Sequence, residues 1–447
     1  MTGETATDAR RPFVVTNGTV LAIAVPMTLA FVTTPLLGIV DTAVVGQLGD
    51  AVLLGGLAVG AITFDFLFAT FNFLRTGTTG LVAQAMGRED EMEQQAVFWR
   101  AASLALLSGL VMILLAPLVV YGSGWFFAPE LAVFEALAAY VGIRILAAPV
   151  SLMNYAILGY VLGRGEGTLG LVLQLVLNGT NIGLSIVFGL MLGWGLEGVA
   201  WGTVCGELVG MLVGLAIVLR RFSRLGFASR ARVFDLPSLG AMLTLNRDIM
   251  IRTFILIASF ALLTRQGAQY GTPTLAANAV LMNLFLIGGF FLDGFATAAE
   301  QLAGRAVGAR NGKAFHRTVD LTAIWGFGMA FVLAGIFILS GDALINLMTT
   351  APGVRELASL YLIWAACTPL SGVLAFQMDG VFIGATWSRD MRNMMLVSFA
   401  LFLAALLLLG WMFGNHGLWA SLHIFLLVRG ITLYLMMRSR AAALFAD

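Results

Sequence analysis

Charge is what this chain has least of. Of its 447 residues only 11% are Asp, Glu, Lys or Arg, while 60% are hydrophobic. An ordinary soluble chain carries about 25% charged residues, so a water-exposed globular surface of normal composition is excluded. The formal net charge is +1, which leaves no imbalance to attract nucleic acid or a strongly acidic partner. Cysteine is nearly absent too. Cys205 and Cys367 both fall in apolar runs, which argues against a secreted disulfide scaffold and leaves no metal-type spacing, so both read as packing residues. His316, His416 and His423 have no metal-ligand spacing, and no serine or cysteine nucleophile motif occurs. No catalytic residue, metal or cofactor is therefore assigned, and an intramembrane enzyme or a receptor is the weakest reading. The run Gly165–Gly170 matches G-x-G-x-x-G by letter, but it follows an apolar span rather than a strand and reads as an interhelical turn. No cleavable signal stands out: the polar start, through Arg10 and Arg11, runs into a span too long for a signal h-region.

What the chain has instead is apolar runs of about 20 residues or more from end to end, each long enough to cross a bilayer as a helix. They are continuous rather than alternating, which argues against an outer-membrane barrel. Twelve such spans are predicted, making an all-α polytopic membrane protein. Eighteen of the 25 basic residues lie in or beside alternate loops, while the opposite loops hold only Arg265 and Arg355. Basic residues accumulate on the cytoplasmic side, so both termini are expected there, in the cell (inner) membrane. The predicted division is a tail over 1–17, an N-lobe over 18–220, a basic cytoplasmic linker over 221–236, a C-lobe over 237–437 and a tail over 438–447. The linker arginines read first as topology determinants and second as a lipid-recognition patch.

The halves echo each other. Gly87 and Gly308 close the long second helix of each half (308 − 87 = 221), and Gly163 and Gly384 close the fourth (384 − 163 = 221). Gly198 and Gly417 correspond at a spacing of 219. Six spans per repeat is an even number, so the two lobes have the same orientation, a transporter architecture with the substrate path between or within the lobes.

The acids inside the spans are the candidate sites. Asp41 lies in a first span that also carries Pro26 and Pro35. An aspartate at mid-membrane costs about 2.5–3.5 kcal/mol on insertion scales and so calls for a compensating use. At helical spacing Thr34, Gly38, Asp41 and Val45 share a face that could line a cavity. The other reading is a helix-end aspartate among headgroups. In the fifth span Gln174, Asn178, Asn181 and Ser185 recur at steps of four, three and four on one face, suited either to a cavity or to interhelical hydrogen bonding. In the second span Asp65, Asn72, Thr76 and Thr79 make a similar face beside Arg75. Asp293 and Glu300 in the eighth span and Asp379 in the tenth are ion sites or structural partners of arginines such as Arg252, with Glu207 a weaker case. No arginine cluster is evident from the sequence.

These residues sit in recognisable motifs. Pro35–Gly49 (PLLGIVDTAVVGQLG), Gly77–Ala85 (GTTGLVAQA) and Asp379–Thr386 (DGVFIGAT) resemble the multidrug and toxic compound extrusion (MATE) family. With Asp293–Glu300 (DGFATAAE) and Asp390–Asn393 (DMRN), they resemble its DinF branch. The resemblance covers essentially the whole chain, with motifs in order in both halves. It implies two pseudo-symmetric six-helix lobes around a V-shaped cavity, and efflux of small organic, lipophilic or cationic compounds in exchange for H+ or Na+. By resemblance Asp41 is the first-helix coupling carboxylate, Pro26 the kink of that helix and Asn181 an N-lobe cavity residue. Some relatives carry a second aspartate where this chain has Ser185, which leaves Asp41 as the main N-lobe acid. The expected protein is a secondary active antiporter working by alternating access, acting as a monomer. A flippase for a lipid-linked cargo is the alternative. With the first span starting near 18, Asp41 stands 41 − 18 = 23 residues along it, about 35 Å of helix rise, in the outer half of the membrane.

Overall fold

A computed structural model describes residues 13–446, so Arg10 and Arg11 of the expected tail lie outside the described residues. Twelve long helical stretches follow one another. In the first half these are α1 (Asn17–Gly46), α2 (Ala51–Gly87), α3 (Glu91–Leu114), α4 (Leu131–Gly163), α5 (Gly167–Met191) and α6 (Gly195–Leu225). In the second they are α7 (Leu236–Ala268), α8 (Thr272–Gly308), α9 (Gly312–Met348), α10 (Pro352–Gly384), α11 (Ser388–Phe413) and α12 (Asn415–Leu444). No strand occurs among the described residues. Eleven of the twelve are long and apolar enough to cross a membrane; α7, which carries Arg247, Asp248 and Arg252, is the exception. Leu339, Leu347 and Trp411 expose more than four-fifths of their surface (90%, 84% and 84%), an outward apolar face that fits lipid rather than water.

The duplication reaches into the backbone. Asp90 caps α3 and Asn311 caps α9, each accepting from the third residue on, and 311 − 90 = 221. The preceding Glu89 and Arg310 both have positive φ, 58° and 49°. Gly165 and Thr386 are matched in the same way at 77° and 57°. Gly87 and Gly308 face each other across the two halves. A methyl group on Gly87 would meet the Arg305 carbonyl oxygen, and one on Gly308 would meet that of Gln84. Since 305 − 84 and 308 − 87 are both 221, this is a reciprocal contact about a pseudo-two-fold axis. It lets α2 and α8 touch backbone to backbone, as small residues do in membrane helix pairs. Gln84 Nε2 then donates across the axis to Gly384 O and Thr386 Oγ1, both at 3.0 Å, and Gln301 Nε2 to Gly163 O at 3.3 Å. The lobes are thus joined at the end where α2, α4, α8 and α10 finish.

Several helices outrun the apolar stretches that announced them. The sixth and twelfth, expected to stop near 220 and 437, run to Leu225 and Leu444. Their polar last turns are held by ion pairs, Arg221–Glu166 at 3.0 Å and Arg440–Asp390 at 2.7 Å. The ninth continues past the polar residues Ser340 and Asp342 to Met348, where Arg355 Nε donates to the Thr349 carbonyl at 2.7 Å. Hydropathy marks lipid contact; backbone hydrogen bonding continues wherever side chains satisfy the ends.

The linker is strapped to the N-lobe. Arg232 pairs with Asp90 and with Glu93. Arg100, 4% exposed, donates from Nε to Val233 O at 2.9 Å, from Nη2 to Arg232 O at 2.6 Å and from Nη1 to Glu93 at 2.7 Å. Gln95 clasps Gly226 O and Ala228 N. Arg232 therefore has protein partners rather than being free for lipid. Arg100→Ala is expected to cost about 2–3 kcal/mol, because it strips buried carbonyls of a charged donor. Trypsin cleavage at Arg224 and Arg230 should accelerate in parallel; unchanged cleavage would show that the strap does not depend on Arg100.

Candidate cargo and ion site

Asp41 opens into a cavity of about 910 Å³ walled mainly by the first lobe and bounded on one side by Asn283, Leu286, Ile287 and Phe290 of α8 and Met348 of α9, with Thr34 and Gly38 on the same face of α1 lining it. Val45, one turn further, is fully buried in packing instead. Gln174 and Asn178 of α5 line the cavity as expected of the polar stripe, and Asn178 Nδ2 donates to Thr33 Oγ1 at 3.0 Å. The stripe then divides. Asn181 and Ser185 are fully buried at the seam with α6, where Gly206 and Gly202 let the helices close on them. Asn181 Oδ1 accepts from Ser185 Oγ at 3.1 Å and from Thr203 Oγ1 at 3.5 Å. The structure places Asn181 in helix packing rather than on the cavity wall, while Ser185 lies beside Asp41.

Three further charged residues complete the wall: Asp65 of α2, Arg144 of α4 and Glu207 of α6. Arg144 lies close enough for its charge to act on Asp41, Asp65 and Glu207 alike. It is held by Tyr140, whose hydroxyl accepts from Nη1 at 3.0 Å, and by the Phe64 ring, 4.7 Å from its guanidinium carbon. Glu207 accepts from Asn154 Nδ2 at 2.7 Å. Asp41 Oδ1 is buried and has no hydrogen-bond partner. Three carboxylates therefore face one guanidinium, and Asp41 keeps one buried oxygen without a partner.

A second cavity, of about 430 Å³, lies between the lobes and shares Tyr155, Leu286 and Phe290 with the first. Asp293, Glu300 and Asp379 all line it. Asp379 is paired with both Arg252 and Arg429, the structural role left open for it in the sequence. Asp293 and Glu300 form no ion pair among the described residues. Arg75 lines the same cavity from α2, so three arginines converge where the sequence suggested no cluster. They come from α2, α7 and α12, and no local spacing could have joined them. The second-span face also splits: Asp65 belongs to the first cavity, Asn72 and Thr76 to the second, because the helix is interrupted at Phe71–Asn72. Pro26 sits inside α1. Gly167 of α5 packs on Ala22 and Ile23, and Gly294 of α8 on Ala24 and Thr28, so the turn that proline weakens lies between the lobes.

With this geometry in place, comparison with known proteins decides the family. The MatE family model matches twice, over residues 26–187 and 249–409, one copy in each lobe. The chain belongs to the MatE family. DNA damage-inducible protein F of Escherichia coli (strain K12) is 37% identical over 418 residues, covering 92% of this chain and 90% of the relative. A MOP superfamily transporter from Pyrococcus furiosus, whose structure is described as showing reverse polarity of its binding pocket, matches with a TM-score of 0.85. It is 18% identical, with 96% of each chain covered. A multidrug resistance MATE family transporter solved in an outward-facing conformation matches with a TM-score of 0.83 at 16% identity, covering 96% of this chain and 97% of that one. The two structures share the two-lobe fold with this MatE protein, which is a multi-pass membrane transporter and not an enzyme.

Proposed function

We propose that this MatE transporter is a secondary active antiporter of the inner membrane. It exports lipophilic or cationic organic compounds through the N-lobe cavity, as a monomer with both termini cytoplasmic. Asp41 is the coupling carboxylate: it takes up H+, or Na+, from outside as cargo leaves and releases it to the cytoplasm when the next cargo molecule binds from that side. What supports this is the charge balance of the cavity, with Asp41, Asp65 and Glu207 against Arg144 alone and Asp41 Oδ1 unpartnered. Burial disfavours an ionised carboxylate, so proton binding and cation binding compete for the same group. Pro26 supplies the hinge: it removes the backbone bond to Ala22 in the segment held between Gly167 and Gly294. With the proposed topology the lobes are closed at the cytoplasmic end, an outward-facing state. The three arginines of the second cavity are the one feature favouring a lipid-linked cargo; with three acids beside them the cavity has no net positive charge to hold a polyanionic lipid headgroup, although one anionic group can still pair locally with an arginine.

The test is efflux of a fluorescent organic cation from proteoliposomes under separately imposed proton and sodium gradients. Acceleration by one gradient alone is expected and names the ion. Equal efflux with neither gradient present would rule out antiport.

A further inference from the structure

Three arginines from three helices and both lobes line the second cavity, and the acids around them balance their number but not their places. Arg252 and Arg429 close on the same oxygen, Asp379 Oδ2, so two guanidinium groups share one carboxylate. Arg75 has no ion pair among the described residues; its Nε donates to Asn72 Oδ1 at 3.2 Å. Its Nη1, and the Nε of both Arg252 and Arg429, are buried without an acceptor. Arg429 is only 3% exposed, which makes an unfilled donor there costly. A purely structural ion-pair network would be expected to use these donors. Here they stand around a cavity that could hold another group, walled by Tyr155, Phe260, Phe285, Phe290 and Phe376; Asp293 and Glu300 line it too, and Glu300 Oε1 and Asp379 Oδ1 are buried there without a donor.

We infer that this cavity is a subsite for an anionic group of the cargo, a carboxylate, sulfonate or phosphate carried on an aromatic body. A zwitterionic amphiphile would then turn its cation toward Asp41, Asp65 and Glu207 and its anion toward Arg75, Arg252 and Arg429, across the wall that the two cavities share. This rests on the N-lobe cavity being the cargo site. Planar guanidinium groups suit such anions because they offer paired N–H donors in fixed geometry.

The probe pair is tetramethylrhodamine, which carries a carboxylate, and tetramethylrhodamine methyl ester, which carries the same dye cation without it. Binding of each to the full-length protein in nanodiscs is read by fluorescence anisotropy. The wild type is expected to bind the carboxylate dye about tenfold more tightly than the ester, the scale of one charge-assisted contact. Arg75→Gln and Arg252→Gln should each bring the ratio of the two affinities toward one, and Arg75→Lys should keep most of it. Ester affinity measured on the same preparations reports whether each variant is folded, and either glutamine variant alone suffices. A wild-type ratio near one, or a ratio unchanged in both glutamine variants, overturns the inference. If Asp41→Asn leaves ester affinity intact while the tenfold ratio stands, it is the N-lobe cation site that fails, and the anion subsite survives.

Discussion

Asp41→Asn is expected to reach the membrane in normal amounts and to lose gradient-driven efflux by about tenfold or more, the scale on which coupled sites act. Asparagine keeps the shape and removes the charge, so insertion becomes easier rather than harder. On the proposed coupling, what is lost is the exchangeable proton or ion on a side chain whose Oδ1 is buried and unpartnered. Asp65→Asn and Glu207→Gln should have smaller effects. Asp65 is open to the cavity, and Glu207 is already held by Asn154 at 2.7 Å. Efflux of an organic cation from everted vesicles, normalised to transporter abundance, makes the comparison. If Asp41→Asn matches the wild type while Glu207→Gln is dead, the coupling carboxylate lies on α6 and not on α1.

Asp379→Ala should produce the largest loss of stability, about 3–5 kcal/mol, because removing one partner of a buried ion pair strands the other. Here it strands two. The side chains of Arg252 and Arg429 are 16% and 4% exposed, and each loses its one paired carboxylate. Asp390→Ala gives the contrast: Arg440 is 50% exposed, and a solvated pair of that kind contributes only about 0–1 kcal/mol. Thermal unfolding in detergent, read from intrinsic fluorescence, should separate the two variants clearly. Equal midpoints would mean that Asp293 or Glu300 moves in to replace Asp379.

Much of this was legible in the sequence because it is local or periodic. The apolar runs gave the helices, and the spacing of 221 residues between Gly87 and Gly308 gave the duplication. One helical face carried Thr34, Gly38 and Asp41 into the cavity that Gln174 and Asn178 also line. Assemblies made across helices were hidden. Arg144 was visible only as a charge within a span; its place opposite Asp41, Asp65 and Glu207 depends on four helices packing together. The convergence of Arg75, Arg252 and Arg429 depends on the meeting of the lobes. The interruption of α2 falls in Ala69-Thr70-Phe71-Asn72-Phe73, which has neither glycine nor proline to announce it. Thr386 was hidden for a related reason: a β-branched residue at φ 57° is unusual, and it stands where the other lobe has Gly165. Its hydroxyl accepts from Gln84 across the lobe interface, a contact no neighbouring residue reveals.

The claim that Asp41 exchanges a proton for cargo is tested most directly by counting protons. Purified transporter in weakly buffered detergent solution is mixed with an organic cation, and proton release is followed with a pH-sensitive dye. Competition for one carboxylate requires the wild type to release protons in step with cargo binding, and Asp41→Asn, still binding cargo, to release none. The same release from both proteins would contradict it.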